Sequence, residues 1–270
     1  MPMSKFRVIG RGMMDLVMTL AISSIPIASG LMVMHYHQDS KLRETARVSA
    51  KEAIYSVDLS INRLHEAATA AMPYAGSPCE TAKEYLLKQI QDVQYLRALA
   101  LVADGRTYCD TLVPPHENDL LYAALESPVK LIIDSPATPN AVLVAYQLRQ
   151  GNLSVIASTY GMELRNELRA FQTGVVLLLE FGDTYIWADG DSRDAVRPSQ
   201  SEFFTTEHST KFGYTVKVGY PEGYAANHRR QAFTQVLPSL ALVGIITGSI
   251  FYWGVFRQRR SRGRTAADNT

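Results

Sequence analysis

Two long apolar segments at opposite ends of the chain, 13–36 and 236–256, constrain everything between them. Each supplies about 20 consecutive, largely apolar residues, enough helix to cross the roughly 30 Å hydrocarbon layer of a bilayer. The first carries one charge, Asp15, near its edge and contains Pro26, which a membrane helix tolerates where neighbours satisfy the freed carbonyl. The second has no charged residue and ends in Tyr252, Trp253 and Phe256, amphipathic rings that favour the headgroup level. A cleaved signal peptide is the alternative for 13–36, with Ala28-Ser29-Gly30 resembling a cleavage site. Leu31, Met32, Val33 and Met34 extend the apolar run beyond the roughly 7 to 15 residues of a signal core, which favours an uncleaved anchor.

Orientation follows from the basic flanks. Lys5, Arg7 and Arg11 precede the first segment, and Arg257, Arg259, Arg260, Arg262 and Arg264 follow the second, so both ends are expected in the cytoplasm. Lys41, Arg43, Arg229 and Arg230 lie on the other side and oppose this in part. The organisation is then a cytoplasmic 1–12, a span over 13–36, an exported domain over 37–235, a span over 236–256 and a basic tail over 257–270. That places the chain in a bacterial inner membrane as a multi-pass protein with the bilayer as its first partner. The tail arginines could also bind anionic lipid, each contributing about 1 kcal/mol near such a surface, but their plainer role is to fix topology. A net charge of +1 argues against nucleic acid as a partner.

Within the exported segment, Ala46, Ala50, Ile54, Val57, Ile61, Leu64, Ala68 and Ala71 recur at steps of three and four, which predicts a long stalk helix ended by Pro73 and Gly76. Its stripe either packs on the domain's own sheet or pairs with a second copy of the chain in a homodimer that the spans would extend. Ser77-Pro78-Cys79-Glu80 reads as a capping box opening a second helix, with Cys79 in its first turn. Strands are predicted over 95–103 and 106–112 around an Asp104-Gly105 turn, then over 129–134, 141–148, 153–160, 175–181, 184–188 and 214–220, with helices over 162–171 and 222–235. A tight turn pairs Cys109 with Ala100, on a face of small residues that a helix can approach. The expected class is α+β, a long stalk helix and an antiparallel sheet in an order resembling PAS-like or Cache-like extracellular sensors, with no internal repeat in the sequence.

The only two cysteines, Cys79 and Cys109, both fall in the segment placed outside the cytoplasm, where an oxidising compartment permits disulfides. Closing a loop of about 30 residues stabilises a domain by roughly 3.5 kcal/mol on the chain-entropy account, so a plain staple is one reading. A redox switch is the other: a helix's first turn favours a thiolate at Cys79, whereas the Asp110 carboxylate beside Cys109 disfavours one.

The run from Tyr95 through Asp104-Gly105-Arg106-Thr107-Tyr108-Cys109, the upstream Cys79 and the two flanking spans resemble the CSS-motif sensor region of bacterial cyclic di-GMP phosphodiesterases over nearly the whole chain. The resemblance implies that Cys109, as the motif cysteine, pairs with Cys79 in the periplasm and that this redox state regulates a cytoplasmic EAL phosphodiesterase domain. Asp110 and Thr111 stand where the family has two serines, and Thr111 keeps a hydroxyl. Residues 257–270 give an EAL domain no room, so a sensor or adaptor without catalysis is expected, served by thiol-disulfide oxidoreductases and a separate signalling partner. The competing readings are a small-molecule sensor with a purely structural disulfide and a phosphodiesterase fragment lacking its catalytic half.

No catalytic residues, cofactor or metal are expected. His35, His37 and Asp39 lie close in sequence, but i and i+2 point to different faces of a helix, and His65, His116, His208 and His228 have no metal spacing. There is no G-x-S-x-G elbow and no glycine-rich phosphate loop.

Overall fold

The computed structural model describes residues 3–112, 127–136, 138–171 and 174–267, with side chains described between 17 and 254. These form two compact units, Met1–Leu42 with Gly223–Thr270, and Arg43–Glu222. Helix α1 (Met3–Ala71) begins in the first unit and continues into the second.

The first unit contains the N-terminal part of α1 and the last helix, Tyr224–Ala267. Both helices are long and apolar enough to cross a membrane, and their apolar windows are 0% and 11% buried, unlike the core helix of a soluble domain. Small residues bring their backbones close. A Cβ placed on Gly244 would stand 2.8 Å from Ile27 Cδ1 and 3.0 Å from the Ser23 carbonyl oxygen, and one on Gly30 would stand 2.7 Å from Leu240 Cδ2. Arg229 Nη1 donates to Asp39 at 3.2 Å, and His35 Nε2 lies 3.9 Å from the same carboxylate. The basic side chains expected to set topology lie outside the described residues, as does His116.

In the second unit the rest of α1 is followed by a 3-10 turn (Met72–Tyr74) and α2 (Cys79–Asp92). Five strands then form one antiparallel sheet: β1 (Ala98–Ala103), β2 (Arg106–Asp110), β3 (Val129–Ser135), β4 (Thr138–Gln150) and β5 (Leu153–Tyr160), in the order β2-β1-β5-β4-β3. Helix α3 (Gly161–Arg169) leads to a second five-stranded sheet of β6 (Val176–Phe181), β7 (Thr184–Trp187), β8 (Gly190–Asp191), β9 (Glu202–His208) and β10 (Thr215–Tyr220), in the order β8-β7-β6-β10-β9. The single sheet expected from sequence is therefore two. Both share one wiring, a first strand set between its hairpin partner and the last strand, as β2-β1-β5-β4 and β7-β6-β10-β9 show. Nothing in the sequence marks this repeat, because it resides in strand pairing and not in residue identity. β8 and β9 were not predicted: the first has two residues, and the second, Glu-Phe-Phe-Thr-Thr-Glu-His, nowhere falls into the buried class and shows no clean alternation.

The stalk stripe is buried within the chain. Ala46, Ala50, Val57, Ile61, Leu64, Ala68 and Ala71 are at most 1% exposed, and Ala53 and Ala67 join them while Ile54 is only half-buried. Polar contacts tie α1 to both sheets. His65 Nδ1 is 2.8 Å from the Tyr146 hydroxyl of β4, and Asp58 accepts from Ser209 and Tyr214 at 2.8 Å each on the side of the second sheet. Burial, reinforced by the adjacent Asp58 carboxylate, pushes the Tyr214 phenol well above its ordinary range.

One charged network joins the two sheets through α3. Arg193 holds the buried Asp191 of β8 through Nε and Nη2, both at 2.8 Å, and reaches Asp134 of β3 through Nη1 at 2.7 Å. Arg165 of α3 donates to Asp191 at 2.6 Å. The Arg193 hydrogen bonds hold the Asp191 carboxyl below the usual range against the opposing effect of burial.

Candidate functional site

The cysteine pair lies where α2 meets the edge of the first sheet. The Asp104-Gly105 turn is the two-residue hairpin expected, with both residues at positive φ (50° and 78°), as a type I′ turn requires. The predicted register holds only next to the turn. A bulge between Leu101 and Val102 leaves Tyr108 without a ladder partner, so Cys109 faces Leu101 and not Ala100. The face under α2 therefore carries a leucine where small residues were expected. The second helix also starts one residue later than the capping box implied: Pro78 is its N-cap, with no side-chain cap, and its carbonyl accepts from Thr81 and Ala82. Cys79 remains in the first turn.

Cys79 and Cys109 are joined by a disulfide with Cα atoms 5.2 Å apart. Cys109 is fully buried and Cys79 half-buried. The bulged Tyr108 makes a second tie across the same gap, its hydroxyl accepting from the Gly76 N–H at 2.7 Å. Asp110 pairs with Ala100 and lies on the opposite face of β2 from Cys109, where its Oδ1 accepts from the Leu112 N–H at 2.8 Å. Thr111 extends the ladder past the end of β2: its hydroxyl accepts from the Leu99 N–H at 3.1 Å and its own N–H donates to the Leu99 carbonyl at 3.2 Å. The hydroxyl at this position is structural.

From the disulfide the contacts lead back to the stalk. Ala82 and Leu86 are buried beneath α2, Gln89 Nε2 donates to the Ala67 carbonyl at 3.1 Å, and the Tyr85 ring stacks on Tyr74 at 4.0 Å just beyond the end of α1. Helix α2 thus packs against the last turns of α1. Sequence reasoning found the cysteines but missed the hydrogen bond between Gly76 and Tyr108 and the role of Thr111. The available signal was the Asp-Gly turn, whose two-residue length leaves an odd residue to absorb once Cys109 must face the helix.

His35 and Asp39 belong to the ion pair with Arg229, and among the described residues no three His, Cys, Asp or Glu side chains gather into a metal-binding group.

Residues 42–233 match the CSS motif domain associated with EAL. No curated protein matches the chain significantly. Among solved structures, the extracellular domain of the putative histidine kinase rpHK1S-Z16 is similar over 69% of this chain and 95% of its own, with 14% identity and a TM-score of 0.46. The sensor domain of the V. cholerae histidine kinase DctB is similar over 72% of this chain and 98% of its own, with 10% identity and a TM-score of 0.31.

Proposed function

Because this chain belongs to the family of the CSS motif domain associated with EAL, we propose that it is a sensor anchored in the bacterial inner membrane, with Arg43–Glu222 in the periplasm and the Cys79–Cys109 disulfide as its redox-responsive element. In this reading the two sheets are PAS-like or Cache-like modules carried on one stalk. The output is delivered to a cytoplasmic EAL phosphodiesterase partner of cyclic di-GMP signalling. Periplasmic thiol-disulfide oxidoreductases set the input.

The observation that carries the reading is the position of the bond. It fastens a short helix to a sheet edge, and that helix rests on the last turns of α1, which runs unbroken from Met3 to Ala71. The half-buried Cys79 is the sulfur an attacking thiolate can reach. Attack there forms a mixed disulfide with Cys79 and releases Cys109 as the thiolate; a second thiol then resolves the mixed disulfide and leaves both cysteines reduced. Release frees α2 from β2 and changes the packing at the end of the stalk.

Labelling of intact cells with a membrane-impermeant maleimide, before and after mild reduction, tests location and redox state together. Labelling only after reduction is the expected result, and labelling only after the cells are opened would refute the periplasmic placement. Substituting both cysteines with serine without altering cyclic di-GMP levels would reduce the bond to a staple.

A further inference from the structure

We propose that a cleft at the junction of the two sheets, lined by Ala141 and Val142 of β4, Tyr160 and Met162 at the start of α3, Arg165 and Arg193, is a binding site for a small monocarboxylate with an apolar body. The cleft has a volume of about 440 Å³, within the range of small-ligand sites, and most of its lining is apolar. It is independent of the redox reading: the disulfide is on β2, at one end of the sheet order, and the cleft is on β4, toward the other.

Three features define the ligand. First, Met162 and Tyr160 are 58% and 40% exposed, apolar surface that nothing in the second unit covers, and Arg97 fixes the Tyr160 ring from 5.3 Å. Second, the Arg193 guanidinium is held in place. Asp191, whose side chain is 4% exposed, grips Nε and Nη2, and Nη1 donates to Asp134 at 2.7 Å. A guanidinium immobilised on two of its nitrogens presents the third without further ordering, the geometry in which arginine recognises carboxylates. Third, the present partner of Nη1, Asp134, is 49% exposed, and exposed ion pairs contribute little net stability, so a ligand carboxylate can take its place while Asp134 returns to water. Glu163, which also lines the cleft, disfavours a second negative charge on the ligand and so selects monoanions over dicarboxylates or phosphates. Exchange at Nη1 unfastens β3 from β8, giving the ligand a direct effect on the link between the sheets.

Benzoate and hexanoate serve as probes, with benzylamine as the charge-reversed control, titrated against the full chain in lipid nanodiscs and followed by ligand-observed NMR. Met162→Asp places a carboxylate in the cleft at a helix first turn, where an acid is favourable to the fold. Arg193→Lys keeps the charge and removes the fork. Saturable binding of either carboxylate at millimolar concentration, at least about tenfold weaker in M162D and R193K and absent for benzylamine, is the expected result. No saturable binding of either carboxylate up to about 10 mM, or binding that M162D leaves unchanged, overturns the proposal.

Discussion

Reduction of the Cys79–Cys109 bond releases α2 before it unfolds the sheets, and the magnitude follows from the structure. The bond closes a loop with a sequence separation of 30, so its loss costs the unit roughly 3.5 kcal/mol of global stability. For a domain of this size that corresponds to a melting shift of roughly 7 to 14 °C. The loss is not evenly spread. β1 keeps ladders to both β2 and β5 and is buried on both faces, whereas α2 retains two buried side chains, Ala82 and Leu86, the Gln89 hydrogen bond and the contacts of Tyr85 with the Tyr74 ring and the Ala70 carbonyl. Burying a leucine contributes about 1.5–3 kcal/mol and one hydrogen bond about 1, against an ordering cost of about 1–2 kcal/mol for each helical residue that the helix's own hydrogen bonds only partly offset. Hydrogen exchange of the full chain in nanodiscs, with and without a phosphine reductant, is the assay. Amides of α2 should exchange at least tenfold faster on reduction while those of β1 and β5 keep their protection. Unchanged exchange in α2, or equal acceleration in β1, would refute the reasoning, since either would mean that the bond does not hold the helix to the sheet.

Thr111→Val, which removes the hydroxyl beyond β2 and leaves the Leu99 N–H without its acceptor, should cost about 1–2 kcal/mol in thermal or urea melts, and Thr111→Ser should fall within about 0.5 kcal/mol of the parent. Tyr214→Phe takes one of two donors from Asp58 at the stalk and should lower stability by about 1–2 kcal/mol, with β10 exchanging faster. Burial acts to raise the Glu180 carboxyl, but hydrogen bonds from Lys217 and Arg197 outweigh it and hold the group below its usual range, as Arg193 does for Asp191. Carboxyls depressed in the folded state add stability above their unfolded values that disappears as pH falls through the folded ones, so melting temperature should drop below about pH 4. Glu180→Gln should flatten part of that decline. Gly244→Leu, whose side chain would meet Ile27 and the Ser23 backbone, should suppress cross-linking between Gly30→Cys and Leu240→Cys in membranes, and undiminished cross-linking would show that the two helices do not pack through that glycine.

Local pattern carried the parts of this protein that one segment can specify alone. The three-four spacing from Ala46 to Ala71, the Asp104-Gly105 turn and the α3 composition each reflect a single period or a single turn conformation, and each appears where the sequence placed it. The two cysteines were equally legible, since type and count are independent of geometry. Tertiary structure decided the rest, because it depends on which strands choose one another. The split into two sheets of common wiring is set by pairings such as β1 with β5 and β6 with β10, which bring together residues tens of positions apart. The bulge that turns Cys109 toward α2 arises because the hairpin register and the helix side of the sheet differ by one residue. Nothing in the sequence singles out Arg193, and only the meeting of β3, α3 and β8 makes it the link between the sheets. Periodicity tells a segment which face to bury; the partner on that face is settled only when the whole chain closes around it.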